Sequence, residues 1–217
     1  MTSRAVLLAG ASGLIGRELL QQLHAEGATV HALVRRAGAV PAAAKVHAHV
    51  VDFAALPALP RARDACCALG TTIKVAGSEA AFRAVDLDAV LAFARAAQTA
   101  GVQSFAVGSA LGASARSPSF YHRVKGEMEA ALSALGFATL VIARPSLLAG
   151  DRAALDQPAR LGERLALAVS APLTPLIPRA WRPIEAATVA RAMLRALHEA
   201  RPGTRIVESS ELHTLGT

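Results

Sequence analysis

Tyr121 and Lys125 are the residues from which chemistry can be read first. Tyr121 is the sole tyrosine, and Lys125 is one of three lysines (Lys45, Lys74, Lys125) in a chain that takes the rest of its 23 cationic side chains from arginine. Four residues apart on a helix, two side chains share a face. A lysine ammonium is a compact point charge on a flexible stem, unlike the planar fork of arginine. A phenol beside it is a candidate proton donor and acceptor. Free phenols titrate near 10, and lowering that by ~3 units requires about 4 kcal/mol of preference for the phenolate, which an ammonium and a neighbouring hydroxyl can share. Such a tyrosine gives a proton to a carbonyl oxygen as hydride arrives at the carbon, or takes one in reverse. Ser109, twelve residues earlier, carries a hydroxyl that can hold the same oxygen. Each residue also has a plain structural reading. Ser109 can cap a turn, and Tyr121 can be a half-buried helix residue with Lys125 in solvent. The combination favours chemistry.

The pair needs a scaffold, and the N-terminus supplies its first element. Gly10-Ala11-Ser12-Gly13-Leu14-Ile15-Gly16 follows a short apolar run and opens a helical pattern. In that context Gly10 permits the sharp turn, Gly13 lets backbone approach a pyrophosphate, and Gly16 lets helix pack on strand. The N–H groups around Ser12, Leu14 and Ile15 then meet phosphates at the positive end of the helix. The motif predicts dinucleotide binding. The second apolar run ends Leu33-Val34-Arg35-Arg36. An acidic residue there would hold the ribose 2′-hydroxyl of NAD, whereas Arg35 suits a 2′-phosphate, so NADP is favoured over NAD. Asp52-Phe53 follows the third run. Its carboxylate can accept from the adenine amino group, or it can simply close a strand-end turn.

Periodicity predicts strands over residues 5–9, 28–34, 46–51, 64–69, 102–108, 138–143 and 204–208. It predicts helices over 14–26, 79–100, 118–135, 159–169 and 184–200. Alternating strands and helices make an α/β fold, a Rossmann-like doubly wound parallel sheet with helices on both faces. The chain reads as one NAD(P)-binding domain over 1–217, with a small C-terminal portion from about residue 145 covering the substrate. Carboxyl ends of adjacent parallel strands converge on the crevice where ligands bind, which brings Ser109 toward the glycine turn.

Composition narrows the function classes. The formal charge is +7, but the arginines are scattered and aromatics make up only 4%, so nucleic acid is not the expected partner. Cys66 and Cys67 are adjacent, point to opposite faces of a strand, and lack metal-ligand spacing, so no metal is expected. The apolar stretch 165–177 is short and broken by Pro172 and Pro175, and the N-terminus reaches glycine too early for a signal peptide. The expectations are therefore no membrane partner and a soluble cytoplasmic location. The two long helices at 79–100 and 117–135 offer a surface on which a second copy can pair as a homodimer.

These residues resemble the short-chain dehydrogenase/reductase superfamily. The finer likeness is to its atypical branch, with the Tat-interacting-protein oxidoreductases. It is carried by AGASGLIG, Cys67-Ala68-Leu69-Gly70-Thr71-Thr72, Val85-Asp86-Leu87-Asp88, Gly108-Ser109, Phe120-Tyr121-x-x-Val124-Lys125-Gly126-Glu127 and Ala143-Arg144-Pro145, in order over about residues 4–152. The resemblance implies that Tyr121 is the acid/base, Lys125 its electrostatic partner and ribose anchor, and Ser109 the carbonyl holder. It implies that Leu69, Gly70 and Thr71 line the nicotinamide side, and that Arg144, Pro145 and Ser146 make backbone contacts to the carboxamide. Many members place an asparagine on the long central helix to relay protons, whereas this chain reads Ala84-Val85-Asp86-Leu87.

The expected function is an NADP-dependent oxidoreductase acting on a small carbonyl or quinone-like substrate. The alternative is a dinucleotide-sensing or partner-binding protein with little catalysis. A nucleotide-sugar epimerase or dehydratase is weakened by the short C-terminal part. Trp181 either covers an aromatic substrate or plugs a gap beneath its loop, the latter being favoured. His122, about 100° round the helix from Tyr121, reads as a surface residue.

Overall fold

The computed structural model describes residues 4–149 and 178–217. The helix expected over 159–169 lies outside them. The first half runs β1 (Ala5–Ala9), α1 (Leu14–Ala25), β2 (Thr29–Val34), β3 (Val46–Val50), β4 (Asp64–Cys67) and a short α2 (Ile73–Ala76). Then come α3 (Glu79–Arg83), a π-helical turn at Ala84–Ala89, α4 (Val90–Thr99), β5 (Ser104–Gly108), α5 (Phe120–Ala134) and β6 (Thr139–Arg144). The C-terminal part holds β7 (Leu148–Ala149), β8 (Ile184–Glu185), α6 (Ala186–His198), β9 (Gly203–Glu208) and α7 (Ser209–Leu215).

Seven strands form one parallel sheet in the order β3-β2-β1-β4-β5-β6-β9. Strand order reverses between β1 and β4, which opens the crevice where ligands bind in doubly wound sheets. The apolar residues of β1 and β4 are buried on both faces, as a parallel sheet covered by helices requires. Cys66 and Cys67 illustrate the alternation: Cys66 packs on the α1/α6 side and Cys67 on the α4/α5 side. Burial pushes both thiols up to about 12, so they are inert, apolar fillers at neutral pH.

Among the described residues the sequence located the seven strands of the main sheet and the principal helices, with ends shifted by up to two residues, but not the short strands β7 and β8, the second of which takes Ile184–Glu185 from the start of the helix expected over 184–200. Two differences have physical causes. The helix expected over 79–100 is interrupted by the π turn at Ala84–Ala89. A π turn inserts one extra residue and rotates the rest of the helix, and it brings the fully buried Asp86 against α5. Helix α7 was not anticipated, because its buried contacts, Ser209 and Leu212, give too little periodicity over seven residues.

Candidate active site

The glycine turn is built for close backbone contact. Gly10 has φ +82, and a Cβ there would stand 2.4 Å from the Ala68 carbonyl carbon. A Cβ on Gly16 would meet the Gly10 carbonyl oxygen at 1.9 Å, so only glycine lets α1 sit this close to β1. Gly13 differs: a Cβ there would find nothing nearer than 3.4 Å, because its Cα faces open groove. Gly13 is also the N-cap of α1 and provides no side-chain cap. The first N–H groups of the helix therefore have no intrahelical or capping acceptor and are available to an anion. These residues fit the pyrophosphate of a dinucleotide.

Two cavities flank that turn and share Gly13, Ala68, Leu69 and Gly70, making one continuous groove. The first half, about 780 Å³, holds Gly10, Ser12, Arg35, Asp52 and Phe53. Asp52 accepts from the Ala54 N–H at 2.9 Å, so one carboxylate oxygen closes the strand-end turn while the residue still lines the groove. The second half is lined by Leu14, Ile15, Leu69, Gly70, Thr71, Asp86, Ser109, Tyr121, Lys125 and Pro145. Gly16 lines neither half and acts through packing, and Arg144 is likewise absent from both linings.

Helix α5 brings Tyr121 and Lys125 to the groove. It lies deep because Gly126 has no side chain: a Cβ would stand 2.1 Å from Ser114 C and Ala115 N. The loop that leads from Ser109 is pinned to the same helix by Ser114 N–H to His122 O at 3.0 Å, and to β6 by Ser109 N–H to Ala143 O at 2.7 Å. Tyr121 packs on Phe82, with ring centroids 5.6 Å apart.

Lys125 is buried, against the reading that leaves it in solvent. Its Nζ lies 2.8 Å from Asp86 Oδ1, while Asp86 Oδ2 accepts the Thr71 N–H at 2.8 Å. Burial alone would pull the ammonium pKa down. Asp86, with a smaller contribution from the Tyr121 phenol, outweighs that and holds it above its ordinary value. Asp86 is the functional residue that sequence reasoning missed as such. Its presence where an asparagine was sought was visible, but its partner lies 39 positions along the chain.

Ser109 lines the groove, and its hydroxyl donates to buried Glu129 Oε1 at 2.5 Å. Glu129 is held by Arg144, whose side chain also pairs with Glu208. The hydrogen bond from Arg144 to Glu129 outweighs partial burial and keeps the guanidinium well above its usual range.

A third cavity of about 710 Å³ continues outward and shares Thr72, Ser109, Tyr121, Pro145 and Leu148 with the inner groove. Ser146, His122 and Trp181 line it. His122 is half-buried and faces this open cavity. Trp181 is 69% exposed, so it does not plug a gap beneath its loop. Its side chain follows the 3₁₀ turn at Arg179–Trp181, which no sequence period signalled.

With this geometry in place, a family model described as NAD(P)H-binding matches residues 10–152. The chain belongs to the NAD(P)H-binding family. Protein HTATIP2 of Rattus norvegicus is 35% identical over 222 residues, covering 97% of this chain and 87% of that protein. FMP52-1 of Scheffersomyces stipitis, a mitochondrial protein by name, is 33% identical over 150 residues, 66% of each chain. Among solved structures, human epimerase family protein SDR39U1 with NADPH superposes with a TM-score of 0.66 at 18% identity, covering 98% of this chain and 80% of that one. The resemblance to atypical short-chain dehydrogenase/reductases therefore stands, and the family's cofactor is a nicotinamide dinucleotide. The cytoplasmic expectation does not stand. FMP52 proteins from several fungi carry a mitochondrial designation, and composition holds no signal that separates the two compartments. Among the described residues no helix is long and apolar enough to cross a membrane.

Proposed function

We propose that the protein is an NADP-dependent reductase of small carbonyl or quinone-like compounds, with Tyr121 as the acid/base. The observation that carries this reading is the position of Tyr121. It lines both the inner groove beside Lys125 and the outer cavity beside Trp181, where a carbonyl and a nicotinamide would meet. A bound nicotinamide supplies hydride to a carbonyl carbon, or accepts it in reverse. Tyr121 gives its phenolic proton to the carbonyl oxygen. Lys125, charged and buried, stabilises the phenolate that remains. Asp86 holds that ammonium at the groove and accepts the Thr71 N–H, with Leu69 and Gly70 lining the groove beside them. Pro145 lines the groove, and the Arg144–Ser146 backbone is the part assigned to the carboxamide.

Arg35 beside the adenosine half supports a 2′-phosphate and hence NADP. The outer cavity supports an apolar, ring-bearing substrate. Its rim carries exposed Ile73, Leu147 and Trp181, and aromatic faces stack well on a tryptophan.

The test is NADPH oxidation over a panel of aldehydes, ketones and quinones. Tyr121→Phe is expected to lower turnover at least about a hundredfold, the scale of a lost general acid, while NADPH affinity stays within about twofold. Normal turnover by Tyr121→Phe would sink the assignment. Tight NADPH binding with no reaction on any member of the panel would favour the sensing alternative.

A further inference from the structure

Beside the acid/base pair lies a buried charge network to which the proposed reaction assigns no use. Helix α5 carries Tyr121, Lys125 and Glu129 at four-residue steps, so all three share one face. Glu129 is buried, and Arg144 grips it as a fork: Nε to Oε1 at 3.0 Å and Nη2 to Oε2 at 2.5 Å. The third Arg144 nitrogen, Nη1, donates to Glu208 Oε1 at 2.8 Å. Ser109 Oγ donates to the same Glu129 Oε1 that Arg144 Nε holds.

A serine hydroxyl has one proton and two lone pairs, and an ionised carboxylate can only accept. A guanidinium can only donate, so the Arg144 fork fixes Glu129 as carboxylate and fixes where its oxygens point. The one Ser109 proton is thereby committed to Glu129. What Ser109 offers the two cavities it lines is lone pairs.

We propose that Glu129, locked by Arg144, is a positioning residue that sets Ser109 as a hydrogen-bond acceptor at the reaction centre, so that the site favours a ligand presenting a hydroxyl there, an alcohol or hydroquinone, over the carbonyl of the same skeleton. This rests on the reading of Tyr121 as the acid/base. The carbonyl oxygen then receives its hydrogen bond from Tyr121. Once reduced and protonated, the new alcohol O–H finds the Ser109 oxygen as its acceptor. The proton count closes, because Tyr121 gives one proton to the carbonyl oxygen and Ser109 exchanges none.

The experiment is a double-variant cycle of Ser109→Ala and Glu129→Gln. It reads kcat and KM on the carbonyl that the panel identifies, inhibition by the corresponding alcohol, and NADPH affinity. Each single variant should lose up to about a hundredfold in kcat, the cost of a misplaced group, with NADPH affinity unchanged. Each should also weaken inhibition by the alcohol more than it raises KM for the carbonyl. The double variant should be no worse than Ser109→Ala, because Glu129 acts through Ser109. Losses that multiply, or an alcohol that inhibits Ser109→Ala as tightly as the parent, would overturn the proposal. Arg144→Lys supplies a second route should Glu129→Gln fail to fold. It keeps a cation on Glu129 but loses the fork, so it should show a smaller loss that vanishes in the Ser109→Ala background, and a loss that persists there also overturns the proposal. Proton NMR at neutral pH adds a readout free of turnover: a slowly exchanging hydroxyl proton that disappears in both Ser109→Ala and Glu129→Leu, which has no acceptor. Its persistence in Glu129→Leu would show that the proton is not held there. An active Tyr121→Phe sinks the underlying reading, whereas an inactive Tyr121→Phe with multiplying Ser109 and Glu129 losses sinks this inference alone.

Discussion

Lys125 and Asp86 bury opposite charges 2.8 Å apart, with side chains only 5% and 1% exposed. Among the described residues Asp86 Oδ1 has no partner beyond that ammonium. A buried pair adds little net stability, but removing one partner leaves an uncompensated charge. Asp86→Ala should therefore destabilise the protein by about 3–5 kcal/mol in urea unfolding, and Asp86→Leu with Lys125→Met should restore much of that loss. A double variant as unstable as the single one would mean that the two charges do not act as a pair. Because the Lys125 pKa is raised on folding, its contribution is fully present at neutral pH and is lost only as pH climbs through the folded value. The local part of this site was legible: Tyr121 and Lys125 sit on one helix face, and a fixed period puts them there. Asp86 was not legible as a partner, since no period in sequence says that a helix will take a π turn. The Ser109–Glu129 bond was hidden for the same reason, because it spans twenty residues and two elements.

The elements show why side-chain direction escapes a linear reading. Strand β3 is the edge of the sheet, and His47 and His49 on it stand beside His31 of β2. The His31 ring stacks on His47 with centroids 5.2 Å apart, and its Nδ1 lies 3.0 Å from His49 Nε2. Burial, followed by His49 and His47, holds His31 below its ordinary value. A histidine whose folded pKa is depressed favours the fold while neutral. Its contribution is present above about pH 6.5 and is lost as pH falls through the lower folded value. His198, lowered by burial and by Arg4, adds to the same slope. The melting temperature should therefore fall between pH 7 and pH 5, before most carboxylates titrate, and His31→Gln should flatten part of that fall. An equally steep fall in His31→Gln would show that the edge cluster does not drive it.

At the scale of the whole molecule, the doubly wound sheet was legible because glycines punctuate it. Gly27, Gly101 and Gly136 close three helices with positive φ, and the apolar runs between helices pair in one parallel sheet. The outer cavity was not legible, because it joins segments from four parts of the chain around Tyr121. The groove crosses the sheet at the β1/β4 reversal and touches α1, α5 and the π turn, so a dinucleotide seated in it bridges elements that unfolding would separate. Binding to the folded state alone stabilises by about 2.7 kcal/mol at a hundredfold excess over Kd. For a chain of this size that corresponds to a rise of roughly 5–10 °C in melting temperature. NADPH should therefore raise the melting temperature more than NADH at equal concentration, because only NADPH carries the 2′-phosphate that Arg35 would meet. In Arg35→Ala the NADPH shift should drop to the NADH value while the NADH shift holds. Equal losses for both cofactors would place Arg35 outside the 2′-phosphate site, and the preference for NADP would then need another cation on the adenosine half of the groove.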